Sequence, residues 1–144
     1  MAIRFNYQTS ALRVCIDTVD GSHVSGQVVS QRLCAPLFFS DISDFIAKVD
    51  ALLDLQVYPQ AFRSLRSFTL KEKPSVPAAM AEEDMMDAAV VDATQGKIST
   101  FRLQIFTRQN ASWQGRIDWL DDSPAVMFDS TLEFIKLTAD RLGI

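Results

Sequence analysis

The sequence predicts an α+β fold: a mainly antiparallel sheet built from two pseudo-symmetric β-hairpin–helix repeats, with the helices packed on one face. Three observations predict it. Apolar and polar residues alternate in several short runs separated by turn residues, which is typical of half-buried strands. Two stripes of apolar residues have helical spacing. The two halves of the chain also match each other when one is shifted by 89 residues.

The first repeat covers about residues 11–56. Asp20-Gly21 supplies its hairpin turn, since both residues tolerate a positive φ. Ser40 or Asp41 can cap its helix, and Pro59 follows the helix end because proline disfavours helical geometry at the residue before it. The predicted elements are strands over residues 11–18, 23–30 and 37–39 and a helix with the apolar stripe Ile42, Phe45, Ile46, Val49, Leu52 and Leu53.

Two more strands are predicted outside the first repeat, an edge strand over residues 2–7 and a short strand over residues 64–70. The second repeat covers about residues 98–143. Its helix begins at the capping box Ser130-x-x-Glu133. The predicted strands are residues 98–107, 113–119 and 126–128, with a hairpin tip at 108–112, and the helix carries Phe134, Ile135, Thr138 and Leu142 on one face.

Residues 71–97 separate the two repeats and differ from them in composition. The segment has three basic and six acidic residues, a net −3, and it contains Pro74 and Pro77. We predict an acidic linker with one or two helical turns around residues 79–91. Flexible Met85 and Met86 within its acidic cluster suggest an alternative, a segment that orders when it binds a partner.

The internal match is ungapped. Residues 12–53 paired with residues 101–142 give eight identities in 42 positions, against roughly three expected by chance from composition. Gly26 falls on Gly115, and Arg13 falls on Arg102. One hairpin and one helix are too small to bury their own apolar face. We therefore expect the two repeats to join edges around a pseudo-twofold axis, forming one sheet.

Composition narrows the class of function. The chain has 144 residues, which fits a single domain over residues 1–144, and a formal charge of −4 that gives no general attraction to nucleic acid. No apolar run approaches the roughly 20 residues needed to span a membrane, and no signal-peptide pattern is found, so we expect a cytosolic protein. Cys15, Cys34 and His23 do not have the spacing of a metal site.

No nucleotide-phosphate or nucleophile motif is found, so we expect no enzyme activity, no catalytic residue and no cofactor. The candidate binding residues lie on the second hairpin, at its tip and on its outer face. Trp113 is interpreted either as a core residue or as an aromatic anchor for a partner. The predicted binding residues are Arg102, Arg108, Gln109, Asn110, Trp113, Gln114 and Arg116.

These features favour a small non-enzymatic module that binds a macromolecule, most readily another protein; a homodimer is a further alternative. A second hypothesis is single-stranded nucleic-acid binding through the face bearing Arg102, Arg108 and Arg116, although the acidic net charge argues against it. A third is an acidic inhibitor that mimics nucleic acid, as phage-encoded anti-defence proteins do, with the acidic linker as the mimic. No membrane association is expected.

One motif pair resembles a known group. The run Arg108-Gln109-Asn110-Ala111-Ser112-Trp113-Gln114-Gly115, followed by Phe128-x-Ser130-x-x-Glu133-Phe134-Ile135, resembles a group of short uncharacterised bacterial proteins from clostridia-like organisms. The resemblance extends over most of the chain, and the acidic linker is its most variable part. It implies no activity and no catalytic residue. Asp129 stands where the group leads us to expect a basic residue.

Overall fold

A computed structural model describes residues 5–6, 8–21, 23–59 and 74–144 of the chain. Within them the protein is α+β, with an open antiparallel sheet of six strands, three α-helices and a 3-10 turn at Glu82–Asp84. The strands are β1 (Leu12–Asp20), β2 (His23–Val29), β3 (Leu37–Phe39), β4 (Ser99–Thr107), β5 (Gln114–Asp118) and β6 (Val126–Phe128). The helices are α1 (Ile42–Gln56), α2 (Ala88–Ala93) and α3 (Thr131–Leu142).

The strand order is β3-β2-β1-β4-β5-β6, so the two hairpins meet at the centre of the sheet. Strands β1 and β4 pair antiparallel, with Arg13 opposite Arg102. On either side of that pair, Leu12 lies opposite Leu103 and Val14 lies opposite Phe101. The short strands β3 and β6 form the two outer edges.

The two hairpins share their strand register. Ile16 lies opposite Gly26 in the first, and Ile105 lies opposite Gly115 in the second. Each hairpin has a bulge directly after that isoleucine. The next strand pairing is also shared, because Gly26 lies opposite Phe39 and Gly115 lies opposite Phe128. Corresponding positions are 89 residues apart throughout, as in the sequence match.

Both strand glycines allow a close approach of two backbones. A Cβ atom on Gly26 would lie 1.9 Å from the carbonyl oxygen of Cys15. A Cβ atom on Gly115 would lie 2.0 Å from the carbonyl oxygen of Gln104. The neighbouring atoms are backbone, so they cannot move aside as a flexible side chain could. This close approach accounts for the glycine at both positions.

The starts of the two long helices follow the sequence prediction. Of the two cap candidates, Asp41 is the one that caps α1, where its Oδ1 accepts from the Asp44 backbone N–H at 2.7 Å. Ser130 caps α3, with Oγ accepting from the Glu133 N–H at 3.0 Å. Helix α1 ends at Val57 with φ of 52°, and α3 ends at Gly143 with φ of 75°. A left-handed residue at the end of a helix is a common C-terminal cap.

Helices α1 and α3 cover one side of the sheet, called here the helix face. Phe45 of α1 stacks on Phe134 of α3, with ring centroids 5.8 Å apart and planes 18° apart. The same aromatic group includes one residue from each edge strand, Phe39 and Phe128. The sheet side of this core contains Leu12, Val14, Ile16, Val24, Val28, Phe101, Leu103, Ile105, Trp113, Ile117 and Trp119. These positions agree with the faces predicted from alternation.

The opposite side of the sheet, called here the second face, is partly covered by the segment of residues 74–97, in which Val76 and Ala78 pack against the main core instead. Their backbone is bonded to the loop after β2: Cys34 N–H donates to the Pro77 carbonyl and Met86 N–H to the Leu33 carbonyl, both at 2.9 Å. Val91 of α2 packs in a small apolar cluster with Cys15 and Val29. The predicted helical turns form at residues 82–84 and 88–93. The two repeat helices, α1 and α3, share the helix face as predicted, whereas α2, which belongs to the linker, packs on the second face.

The two strands predicted outside the repeats are not found among the described residues. Residues 64–70 lie outside the described part of the chain. Of the predicted edge strand over residues 2–7, the structure describes Phe5 and Asn6, and neither is in a strand. A turn follows at residues 8–10, where the Ser10 N–H donates to the Asn6 carbonyl at 2.9 Å.

We expect Gly115→Ala to destabilise the fold by about 3 kcal/mol or more, because the methyl group cannot fit without moving the backbone of β4. Gly21→Ala is the matched control. Gly21 has a positive φ of 59° but open space around it, so its replacement should cost about 1 kcal/mol. Urea unfolding followed by circular dichroism measures both values. Equal effects of the two substitutions would contradict the close-approach explanation.

Candidate functional site

The tip of the second hairpin is a tight turn. Asn110 and Ala111 have φ values of 56° and 57°, and Ser112 N–H donates to the Gln109 carbonyl at 3.0 Å. Two consecutive positive φ values are typical of the type I′ turns that join hairpin strands. The turn leaves Gln109 and Asn110 exposed to solvent. Two of the three predicted tip residues, Gln109 and Asn110, are therefore accessible, and the third, Arg108, is buried.

Gln114 holds this tip together. Its Oε1 accepts from the Thr107 hydroxyl at 2.7 Å and from the Gln109 N–H at 2.8 Å. Its Nε2 donates to the carbonyls of Gln109 and Ser112, both at 3.2 Å, and to that of Asp129 at 3.3 Å. The side-chain amide is fully engaged by the loop and by the segment leading to α3. Gln114 is thus placed as a structural residue of the tip.

Trp113 is a core residue. Its exposed fraction is 2%, and its ring contacts those of Phe45 and Phe134 with centroids 6.4 and 5.9 Å away. The indole Nε1 donates to Oδ1 of Asp50 at 3.2 Å, so the polar end of the ring is also satisfied within the protein. Of the two interpretations drawn from the sequence, the aromatic anchor for a partner is wrong because the ring is not accessible.

The structure corrects the position of Arg108, which the alternation predicts on the outer face. The bulge after Ile105 shifts the alternation by one residue, so Arg108 points to the helix face and is 5% exposed. Its Nη1 donates to Oδ1 of Asp54 at 2.6 Å and lies 3.7 Å from Asp50. Its Nε donates to the Pro59 carbonyl at 2.7 Å. Arg108 therefore ties the second hairpin to α1 and is not part of an exposed tip.

A second buried arginine, Arg32, lies in the same region and was not singled out from the sequence. Its guanidinium group packs over the rings of Phe5 and Tyr58, at 4.9 and 5.5 Å from their centroids. It donates to Oε1 of Gln56 at 2.9 Å and to the Tyr58 carbonyl. Burial lowers the pKa of Arg32 to about 10, so the group remains charged at neutral pH. Arg32 and Arg108 thus bind the consecutive carbonyls of Tyr58 and Pro59.

The remaining predicted residues, Arg102 and Arg116, lie on the second face and are partly buried. Nη1 of Arg102 lies 4.0 Å from Oδ2 of Asp118. Gln104, on the same face, is buried beneath the N-terminal turn, where its Nε2 donates to the Ser10 hydroxyl at 2.7 Å. The predicted arginine face is not continuous, because Arg108 is on the other side of the sheet.

Arg102 borders a cavity of about 440 Å³ on the second face, called here the arginine cavity. Arg13, its cross-strand partner, lines the same cavity, and its Nε donates to the Thr94 carbonyl at 2.6 Å. The sequence signal for this pair is the match of Arg13 with Arg102 in the shifted alignment. The cavity is lined by Gln8, Ala11, Arg13, Gln31, Ala88, Val91, Asp92 and Arg102.

Other reactive groups do not assemble into a site within the described chain. Among those residues, no three His, Cys, Asp or Glu side chains are placed to hold a metal ion. Burial raises the pKa of the Cys15 thiol, which therefore stays protonated at neutral pH. Cys34 is exposed, and the two thiols are not bonded to each other. No helix in the described part of the chain is long and apolar enough to cross a membrane.

We expect Arg108→Met to destabilise the protein by about 2 kcal/mol, because it removes a buried guanidinium group together with its bonds to Asp54 and to the Pro59 carbonyl. This is less than for a fully buried pair, since Asp54 is about one-third exposed. Arg102→Met, which removes a partly exposed contact, should change stability by less than about 1 kcal/mol. Urea unfolding of both variants tests this order. If Arg102→Met is the more destabilising, the structural role of Arg108 is wrong.

No protein-family model, curated protein or solved structure matched the chain. The resemblance to short clostridia-like proteins therefore stays a prediction. What the chain can do has to follow from its accessible edges and from its arginine cavity.

Proposed function

We propose that the chain is a small, cytoplasmic, non-enzymatic module that binds another protein at the edge strand β6. We also propose that it is built from two copies of one hairpin–helix unit, related by a pseudo-twofold axis through the Arg13–Arg102 pair. The shared registers, bulges and close-approach glycines support the repeat. Because the two units have the same architecture, any difference between their edges is informative about function.

Among the described residues, one contact distinguishes the two edge strands, and that difference carries the proposal. Phe38 on β3 and Met127 on β6 occupy corresponding positions, and their exposed fractions are 64% and 59%. Lys48 of α1 donates to the Phe38 carbonyl at 2.8 Å, which covers the edge of β3 with a charged group. The residue of α3 corresponding to Lys48 is Leu137, which has no such donor. Edge β6 is therefore the more open of the two.

An extended segment of a partner protein suits this edge. Such a segment can add a strand to a sheet through main-chain hydrogen bonds, with its apolar side chains on exposed apolar residues. Met127 and Leu132, at the start of α3, offer those residues, with Leu132 60% exposed. A second copy of the chain is the alternative occupant of this three-residue strand, and sedimentation distinguishes it from a different protein.

The test uses a photo-crosslinking amino acid placed at Met127, with Phe38 as the matched position on the other edge. A partner captured from the native lysate at position 127 is identified by mass spectrometry, purified and titrated against the wild-type chain. Met127→Lys should then weaken binding at least about tenfold, which is 1.4 kcal/mol. Phe38→Lys should leave the affinity within about twofold, since it changes the same kind of residue on the covered edge.

Two outcomes would count against the proposal. One is an unchanged affinity of the purified partner for Met127→Lys, with circular dichroism showing that the variant is folded. The other is a concentration-dependent dimer in sedimentation experiments that Met127→Lys converts to a monomer. In that case the occupant of β6 is a second copy and not a different protein.

A second candidate, the acidic inhibitor that mimics nucleic acid, has one supporting observation. The segment on the second face exposes its carboxylates to solvent, which suits competition with a polyanion. We expect the four-fold variant Glu82→Gln, Glu83→Gln, Asp84→Asn and Asp87→Asn to lose inhibition of a DNA-cleaving defence enzyme. Inhibition that survives this variant would exclude the mimic. The exposed acidic residues are Glu82, Glu83, Asp84, Asp87 and Asp92.

A further inference from the structure

Two arginines are held side by side in the middle of the sheet. Arg13 and Arg102 are direct cross-strand partners, and both line the arginine cavity on the second face. Directly opposed side chains on one face of an antiparallel pair have Cβ atoms about 4.5–5.5 Å apart. Like charges directly opposite each other on paired strands repel and disfavour the pairing. The pairing that joins the two hairpins therefore concentrates positive charge at one wall of a cavity.

The protein neutralises this charge incompletely. The Nε of Arg13 is bonded to the Thr94 carbonyl, which is a neutral acceptor. The Nη1 of Arg102 lies 4.0 Å from the carboxylate of Asp118, at the limit of an ion pair. The Asp92 carboxylate also lines the cavity, yet within the described chain it forms no ion pair with either arginine. Within the part of the chain that the structure describes, these two cations thus have one long carboxylate contact between them.

The rest of the cavity suits a small molecule. Its volume of about 440 Å³ lies within the range of roughly 300–1,000 Å³ that is usual for ligand sites. Gln8 and Gln31 bring amide groups to its lining, and Ala88 and Val91 of α2 provide an apolar wall. Guanidinium groups bind carboxylate and phosphate oxygens in a planar, two-point geometry. The lining therefore combines groups that donate hydrogen bonds to an anionic oxygen with space for the rest of a small ligand.

We propose that the arginine cavity binds a small organic anion, whose carboxylate or phosphate group is held between Arg13 and Arg102. The anion relieves the repulsion between the two guanidinium groups and so stabilises the junction of β1 with β4. Gln8 and Gln31 donate to its remaining oxygens, and its body lies against Val91. The site is independent of the β6 edge, since β5 lies between β4 and β6.

Isothermal titration with inorganic phosphate and with succinate, at low and constant ionic strength, tests the site. We expect at least one anion to bind with a Kd on the order of 1 mM or tighter. Arg13→Gln and Arg102→Gln should each weaken that binding about tenfold or more. Lys136→Gln removes an exposed positive charge on α3 and is the matched control, with an expected change within about twofold.

Two further variants distinguish a loss of anion binding from a loss of folding. Arg102→Lys keeps the charge but loses the planar fork, so it should bind the anion less tightly than wild type and more tightly than Arg102→Gln. Asp92→Asn removes a negative charge from the lining, so it should tighten binding about twofold to fivefold. At ten times its Kd, the anion should raise the wild-type melting temperature by about 3–5 °C.

Three results would overturn the proposal. The first is no heat and no thermal shift with either anion up to about 50 mM, well above the millimolar range expected. The second is unchanged binding in both glutamine variants when circular dichroism shows native spectra. The third is the same thermal shift with phosphate in Arg102→Gln as in wild type, because that shift would be a general salt effect on stability.

Discussion

The antiparallel pairing of β1 with β4 is the contact on which the rest of the molecule depends. Each hairpin with its short third strand would otherwise leave a long edge open, and neither helix would have a complete core to cover. On the helix face the junction buries Leu12 against Leu103 and Val14 against Phe101. On the second face the same register brings two arginines together. Apolar burial on one face thus offsets charge repulsion on the other.

The packing between the helices and the sheet shows the same correspondence between the two halves. Phe45 and Phe134 are 89 positions apart and stack directly on each other, so each helix contributes the same residue to the centre of the core. Phe39 and Phe128 flank them from the two edge strands. Aromatic rings in such contacts add to the free energy gained by burial of their apolar area. The proposed twofold relation therefore extends from the backbone to the packing of side chains.

The differences between the halves are as informative as their similarities. Val24 of the first hairpin corresponds to Trp113 in the second, and Val19 corresponds to Arg108. Both second-half residues reach across to carboxylates on α1, Asp50 and Asp54. No equivalent bridge can form from valine. The second hairpin is therefore tied to the first helix by polar contacts that the first hairpin cannot make, and these contacts fix how the halves pack.

Most local structure follows from neighbouring residues. Alternating apolar residues predict the strands, because strand side chains point to opposite faces in turn. The side chains of Asp41 and Ser130 predict the helix starts, since each can accept from free N–H groups of the first turn. The shifted alignment predicts that Gly26 and Gly115 share a role, and the structure supplies it as a close approach of two backbones.

The sequence by itself therefore determined the six strands of the sheet, the two long helices, their order and most of the buried positions, whereas the edge strand predicted over residues 2–7 was wrong at Phe5 and Asn6. The tertiary structure alone decided where several polar residues lie. A single bulge directs the Arg108 side chain to the helix face, and the N-terminal turn buries Gln104. Residues 74–97 are bonded to the loop after β2 instead of forming a free linker. These outcomes depend on contacts between segments far apart in the chain, which no local pattern encodes. The arginine cavity has the same origin, because it exists only where β1 and β4 meet beneath α2.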